Sequence, residues 1–177
     1  MDLETLQLWS VIGTWVASIG TVSAVIASLW LAYHHGKVKL KVAAGVRQII
    51  TSGLSETPDY CMINVFNTGI RLAKITSIYW QVGFFKNKKQ MVQMFGYPES
   101  EAIPKILAEG EDAYFMLPLR ENGDKDDWIV RFSQNLLKEN SKIVVNMSLK
   151  ACVCTSVGQT FETKVEKSLT KAILEQT

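Results

Sequence analysis

The sequence predicts a mainly β protein: one N-terminal transmembrane helix, spanning about residues 8–33, followed by an antiparallel β-sandwich. Three observations predict it. From Leu8 to Tyr33 no charged residue occurs, and at ~1.5 Å rise per residue such a stretch covers the ~30 Å hydrocarbon core of a bilayer. His34-His35-Gly36-Lys37-Val38-Lys39-Leu40-Lys41 follows at once, a basic stop. Most of the remaining chain alternates apolar and polar residues in short runs broken by turn residues, the period-two signature of half-buried strands. The chain therefore divides into an anchor, residues 1–36, and a β-domain, residues 37–177.

The anchor carries its own flanking marks. Trp9 lies near one end and Trp30 and Tyr33 near the other, where amphipathic rings favour the headgroup level. Trp15 falls inside the span. Acidic Asp2 and Glu4 precede it, and Lys37, Lys39 and Lys41 follow. By the positive-inside rule the N-terminus is outside and the domain cytoplasmic, which for a bacterial chain means a single-pass inner-membrane protein. A cleaved signal peptide would carry basic residues before a shorter apolar stretch. A buried helix of a soluble protein would show a charged stripe.

Along one face of the span, Ser10, Gly13, Ala17, Gly20, Ala24 and Ala27 recur at alternating spacings of three and four, the seam of a left-handed helix pair. Small residues let two backbones approach, and close packing drives helix association in lipid. Thr14, Ser18, Thr21 and Ser28 run alongside as sources of interhelical hydrogen bonds. The expected partners are membrane lipid and, through this seam, a second copy or another membrane protein.

About 140 residues remain after the anchor, enough for one domain with its own core. The net charge of +2 comes largely from the lysines after the span, so no basic field marks a nucleic-acid binder. Those lysines suit anionic lipid. Three cysteines, Cys61, Cys152 and Cys154, without the spacing of a stapled scaffold, fit a reducing compartment.

Taken in order, 37–42 alternates strictly and continues toward Ile50, so the first strand starts almost at the membrane and the domain is expected close to the lipid surface. Tyr60–Phe66 places Cys61, Ile63 and Val65 on one face, and Asn67-Thr68-Gly69 turns the chain. A strand over 73–85 carries Ile78, Trp80, Val82 and Phe84 on one side. Lys86–Lys89 reads as a solvated hairpin tip before a strand at 91–95. The stretch 96–110, with Pro98 and Pro104, reads as irregular with a helical turn near Ile106. A strand is expected over 111–119, with Pro118 implying that it ends there or lies at an edge. Asp127 is placed to cap a helix over 128–138. The run 142–155 alternates throughout and reads as the clearest strand, followed by a turn at 157–159, a strand at 160–165 and a short amphipathic helix over 167–176. About seven antiparallel strands with one inserted helix and a short C-terminal helix suit an immunoglobulin-like β-sandwich; a split α+β sheet is the alternative.

The membrane helix with its basic stop, the strand ending in Asn67-Thr68-Gly69, the Ile75-Thr76-Ser77-Ile78-Tyr79-Trp80 strand and the Leu-x-x-Gly-Glu stretch from Leu107 to Glu111 resemble a loose class of uncharacterised bacterial single-span membrane proteins with an immunoglobulin-like cytoplasmic β-domain. The resemblance runs along most of the chain. It implies a fold and brings no activity, substrate or catalytic residue.

No constellation in the domain specifies a chemistry. His34 and His35 are the only histidines and sit together at the membrane boundary, so no Ser-His or Cys-His pair is available in the domain. Cys152 and Cys154 share a strand face, yet with Cys61 they fall short of four zinc ligands; they read as small apolar residues, with a redox switch as the alternative. The stretch from Glu121 to Asp127 lacks the ligand pattern of an EF-hand loop. No catalytic residue, metal site or cofactor motif is assigned. The function expected is a non-enzymatic, membrane-anchored interaction or assembly module presenting its β-domain to a partner. The alternative is a membrane-tethered enzyme or effector (envelope-related, toxin or phage-defence), resting on the carboxylates between Glu99 and Asp127.

Overall fold

The computed structural model describes residues 3–35, 37–50, 58–84, 87–98, 100–120 and 127–176. The chain forms two compact units, Met1–Lys37 and Val38–Thr177. In the first, helix α1 runs over Leu3–His35, and its window from Gln7 to Tyr33 is long and apolar enough to cross a membrane.

Among its described residues the second unit has eight strands: β1 Leu40–Gln48, β2 Asp59–Asn67, β3 Ala73–Val82, β4 Lys89–Gln93, β5 Lys105–Leu107, β6 Asp112–Pro118, β7 Lys150–Thr155 and β8 Thr160–Lys164. Every pairing is antiparallel. One sheet has the order β1-β2-β6; the other has β4-β3-β7-β8, with β5 also paired to β3. The period-two pattern sets the buried faces. Cys61, Ile63 and Val65 of β2, Ala113, Phe115 and Leu117 of β6, Ile78 and Trp80 of β3, and Ala151 and Val153 of β7 join one core. Shifting any strand by one residue would turn this set to solvent.

Helices α2 (Trp128–Leu137), α3 (Lys142–Ser148) and α4 (Lys167–Leu174) complete the unit. The apolar face of α2 buries Ile129, Phe132 and Leu136. There Trp80, Trp128 and Phe132 form a cluster, with Trp128 stacked on Phe132 at 4.7 Å between ring centroids. The Gln93 carboxamide oxygen accepts from both indoles, at 3.3 Å from Trp80 Nε1 and 3.0 Å from Trp128 Nε1, so neither buried N–H lacks an acceptor. Asp127 stands at the N-cap of α2 without making the expected side-chain cap bond.

Two expectations are corrected. The run 142–155 is not one strand: it is a helix over Lys142–Ser148 and a strand over Lys150–Thr155, so two helices rather than one stand between β6 and β7. The sequence there satisfies both periods. Val145, Ser148 and Leu149, spaced three and four apart, are the buried ones, while Ile143 and Met147 are exposed. Ser141 caps the helix by accepting from the Val144 amide, and Ser148 Oγ donates to the Val144 carbonyl and accepts from the Gly83 amide. Tertiary packing and the cap decide the period. The second correction concerns 105–107, a short strand on β3 rather than a helical turn. Strand β4 covers Ile78–Val82 of β3, and β5 pairs with Ala73, Lys74 and Ile75. That pairing gives the backbone of β3's first residues partners they would otherwise lack.

Both flanks of the three-stranded sheet are covered as well. The Glu166 amide donates to Ala44 and the Glu101 amide to Tyr114, which blunts edges that would otherwise template aggregation. Over β1, Arg47 and Glu166 form a two-pronged ion pair at 2.7 and 2.6 Å, and the guanidinium holds the Glu166 carboxyl below its ordinary range.

Candidate functional site

On α1 the small residues Ser10, Gly13, Ala17, Gly20, Ala24 and Ala27 all lie on exposed helix surface, and a Cβ added at Gly13 or Gly20 would meet open space. A helix has 3.6 residues per turn, so the three-four alternation keeps these six in one stripe. The neighbouring hydroxyls are engaged within the helix: Thr14 donates to the Ser10 carbonyl, Ser18 to Thr14, Thr21 to Ser18 and Ser28 to Val25. Each keeps only acceptor capacity toward a second helix, so the stripe offers close packing more than donated hydrogen bonds.

Trp9, Trp30 and Tyr33 are exposed near the helix ends, as is Trp15 within it. The Lys37 ammonium lies 4.1 Å from the centroid of the Tyr33 ring, a cation–π pair at the basic end. Lys39 and Lys41 are exposed at the start of the β-domain. There the Lys39 carbonyl accepts from the Thr68 amide and the Thr68 hydroxyl, which ties the chain's point of arrival to the β2–β3 loop.

Asn67 organises that loop, a role the sequence reading gave only as a turn. Its side chain is fully buried. Nδ2 lies 2.8 Å from the Arg71 carbonyl, 3.1 Å from that of Leu107 and 3.0 Å from that of Ala108, while Oδ1 accepts from the Gly69 amide at 3.0 Å. Two loops are thereby stitched at one end of the domain. The signal in the sequence was an amide side chain closing an alternating strand just before a glycine, a pattern that signals a turn and leaves the loop it ties unnamed.

Two of the carboxylates between 99 and 127 carry structural duties. Glu111 accepts from the Ala108 amide, Glu101 pairs with Lys105, and Glu109 is exposed. Glu99 and Glu121 to Asp126, which also supported the enzymatic alternative, lie outside the described residues, as do Asp2, Gly36 and Lys86. Among the described residues no group of three or more His, Cys, Asp or Glu is placed to hold a metal ion. Cys61 is fully buried, and burial pushes its thiol up. Cys152 is also buried, its thiol pushed up to about 11 by desolvation and by Glu162, whereas Cys154 is partly exposed beside the Thr160 hydroxyl at 3.5 Å. A shallow depression of about 520 Å³ lies on the outer face of the three-stranded sheet, floored by Met62, Tyr114 and Met116. At its rim Ser100 Oγ is engaged by the Met116 amide.

No family model matches the sequence, and no curated protein matches it. Among solved structures, the chain is similar to the crystal structure of a Bordetella pertussis protein named for ApaA, at 13% identity and a TM-score of 0.31, covering 71% of this chain and 87% of that one. It is also similar to the X-ray structure of the Northeast Structural Genomics Consortium target SoR45, at 9% identity and a TM-score of 0.28, covering 73% of this chain and 81% of the other. Likenesses this slight carry no functional inference.

Proposed function

We propose that this chain is a single-span inner-membrane module that associates through the small-residue face of α1 and presents an immunoglobulin-like β-sandwich to a partner in the cytoplasm. The observation that carries the reading is a helix whose window from Gln7 to Tyr33 is free of charge, with every described side chain exposed and a continuous stripe of Ser, Gly and Ala. A surface so apolar is expelled from water, and in lipid such a stripe favours helix pairing by close packing. The acidic start and the basic Lys37, Lys39 and Lys41 favour a cytoplasmic domain.

The strand order supports the immunoglobulin-like reading. If β1 to β4 are taken as A, B, C and C′, and β6 to β8 as E, F and G, the two sheets are A-B-E and C′-C-F-G. That is close to the standard sandwich arrangement, with Trp80 buried on strand C. Cys61 lies on strand B and stays a free thiol.

The test is the native mass of the full-length protein extracted in mild detergent, with co-purifying proteins identified. The expected result is a discrete species larger than one chain, reduced to a single copy by Gly13→Leu, Ala17→Leu and Gly20→Leu together. An unchanged size in the triple variant would refute the seam.

A further inference from the structure

The end of the β-domain at which the chain arrives from α1 carries a cluster of aliphatic side chains that no described residue covers. Strand β1 begins at this end, β2 finishes there and β3 starts again there, joined by the loop 68–72. The β7–β8 turn reaches the same end, because the Ser156 amide donates to the Lys74 carbonyl. From the first loop Ile70 and Leu72 project 61% and 69% exposed, and from the turn Val157 is 63% exposed. Ile106 of β5, opposite Lys74, adds a fourth at 55%. Single exposed aliphatics are ordinary on a protein surface, but four contributed by three separated segments to one end form a patch.

We infer that this end is a lipid-docking surface, which inserts Ile70, Leu72 and Val157 among the headgroups of an anionic leaflet. The inference rests on the membrane anchor proposed above. Three observations bear on lipid as the occupant. Only residues 36–39 separate α1 from β1 in sequence, and four residues span at most about 14 Å, so this end of the domain is held within reach of the leaflet the helix leaves. Exposed Lys39, Arg71 and Lys74 lie at the same end as the aliphatics, and basic groups favour an anionic surface. Glu109, Glu111 and Asp112 lie at the same end, with Glu111 held on the Ala108 amide, so the aliphatic side chains and the short tether, rather than net charge, carry the selection of lipid. Finally, the loop carrying Ile70 and Leu72 is tied down by the fully buried Asn67 through Arg71 and Gly69, so little ordering cost opposes insertion.

The experiment uses the full chain reconstituted in vesicles of phosphatidylcholine with one quarter phosphatidylglycerol. A thiol-reactive environment-sensitive fluorophore is placed at Val157→Cys, or at Ile143→Cys on exposed α3 at the opposite end, each in a Cys154→Ser background. Cys61 and Cys152 are buried and escape labelling. Quenching by a lipid carrying a nitroxide high on its acyl chain is the readout, with carbonate-resistant flotation reporting the anchor. The expected result is at least threefold stronger quenching at 157 than at 143, falling by half or more when Ile70→Ser and Leu72→Ser are added. Equal quenching at the two positions in protein that still floats overturns the docking surface and leaves the anchor standing. Protein stripped by carbonate removes the anchor, and the docking inference falls with it. Quenching that gives way to label–label energy transfer as protein density rises identifies a second copy as the occupant and overturns the lipid assignment.

Discussion

Replacing Asn67 should be among the most damaging single polar changes in the domain. The two hydrogens on Nδ2 are divided among three carbonyl oxygens and Oδ1 takes one amide, so the side chain makes the equivalent of three hydrogen bonds. At about 1 kcal/mol net for each, Asn67→Ala should cost about 3 kcal/mol. For a domain of this size that corresponds to a fall of roughly 10 °C in melting temperature. Asn67→Asp should be worse near neutral pH, because a buried carboxylate would replace the donor in front of three carbonyl oxygens. Its pKa in the folded state would rise above the unfolded value of ~3.9. A raised folded pKa leaves most stability below the unfolded pKa and loses it as pH climbs through the folded one. The Asp variant should therefore regain part of its stability at pH 4. The assay is thermal unfolding of the full chain in detergent, read by near-ultraviolet circular dichroism of the Trp80, Trp128 and Phe132 cluster. A loss under about 3 °C for Asn67→Ala would refute the reasoning, as would an Asp variant that is insensitive to pH.

Two glycines should respond to the same methyl group with costs of different size. At Gly83, φ is +103° and an added Cβ would meet the Asn87 backbone carbonyl, which cannot swing aside, so Gly83→Ala should cost about 2 kcal/mol or more in denaturant unfolding. At Gly45 the obstacle is the Glu166 carboxylate together with Arg47 Nη1, flexible tips of an exposed ion pair. Gly45→Ala should therefore cost no more than about 1 kcal/mol, and less still beside Glu166→Ala. Thiol chemistry should separate the cysteines: at pH 8 a maleimide should modify Cys154 in the folded protein and reach Cys61 and Cys152 only after unfolding. Rapid labelling of all three in native protein, followed by peptide mass, would contradict the burial assigned to them.

The elements whose periodicity had a single solution were legible in the sequence. Strands β2 and β6 and helix α2 alternate or repeat in only one way, and their buried apolar residues fall where the pattern puts them. The segment 142–149 was not, because Ile143, Val145 and Met147 alternate while Val145, Ser148 and Leu149 recur at helical spacing. The deciding contacts, Ser141 on the Val144 amide and Gly83 on Ser148, lie in the cap and just past the end of β3. Strand β5 was hidden for a related reason: three residues directly after Pro104 carry no period, and what makes them a strand is the otherwise unpaired start of β3. Of the helix seam, spacing identified the stripe, but not that its hydroxyls would bond within α1.

The same local logic separates the two ends of the β-domain. At the end carrying Gly83, helix-borne side chains make the closing bonds: Ser148 of α3 accepts from the Gly83 amide, and Trp128 of α2 shares the Gln93 side chain with Trp80. At the other end no helix follows, and closure falls to loops stitched by Asn67, whose apolar side chains at 70 and 72 face outward. A loop that is rigid beneath and apolar on top gains nothing in a protein free in water, since the exposed Ile70 and Leu72 contribute no burial. Next to a bilayer the same arrangement is favourable, because the ordering is done by Asn67 before contact and the aliphatics then have a surface to enter. On the lipid-docking inference, docking and domain stability are coupled through one residue, and a change that loosens Asn67 should weaken membrane contact even where the fold survives.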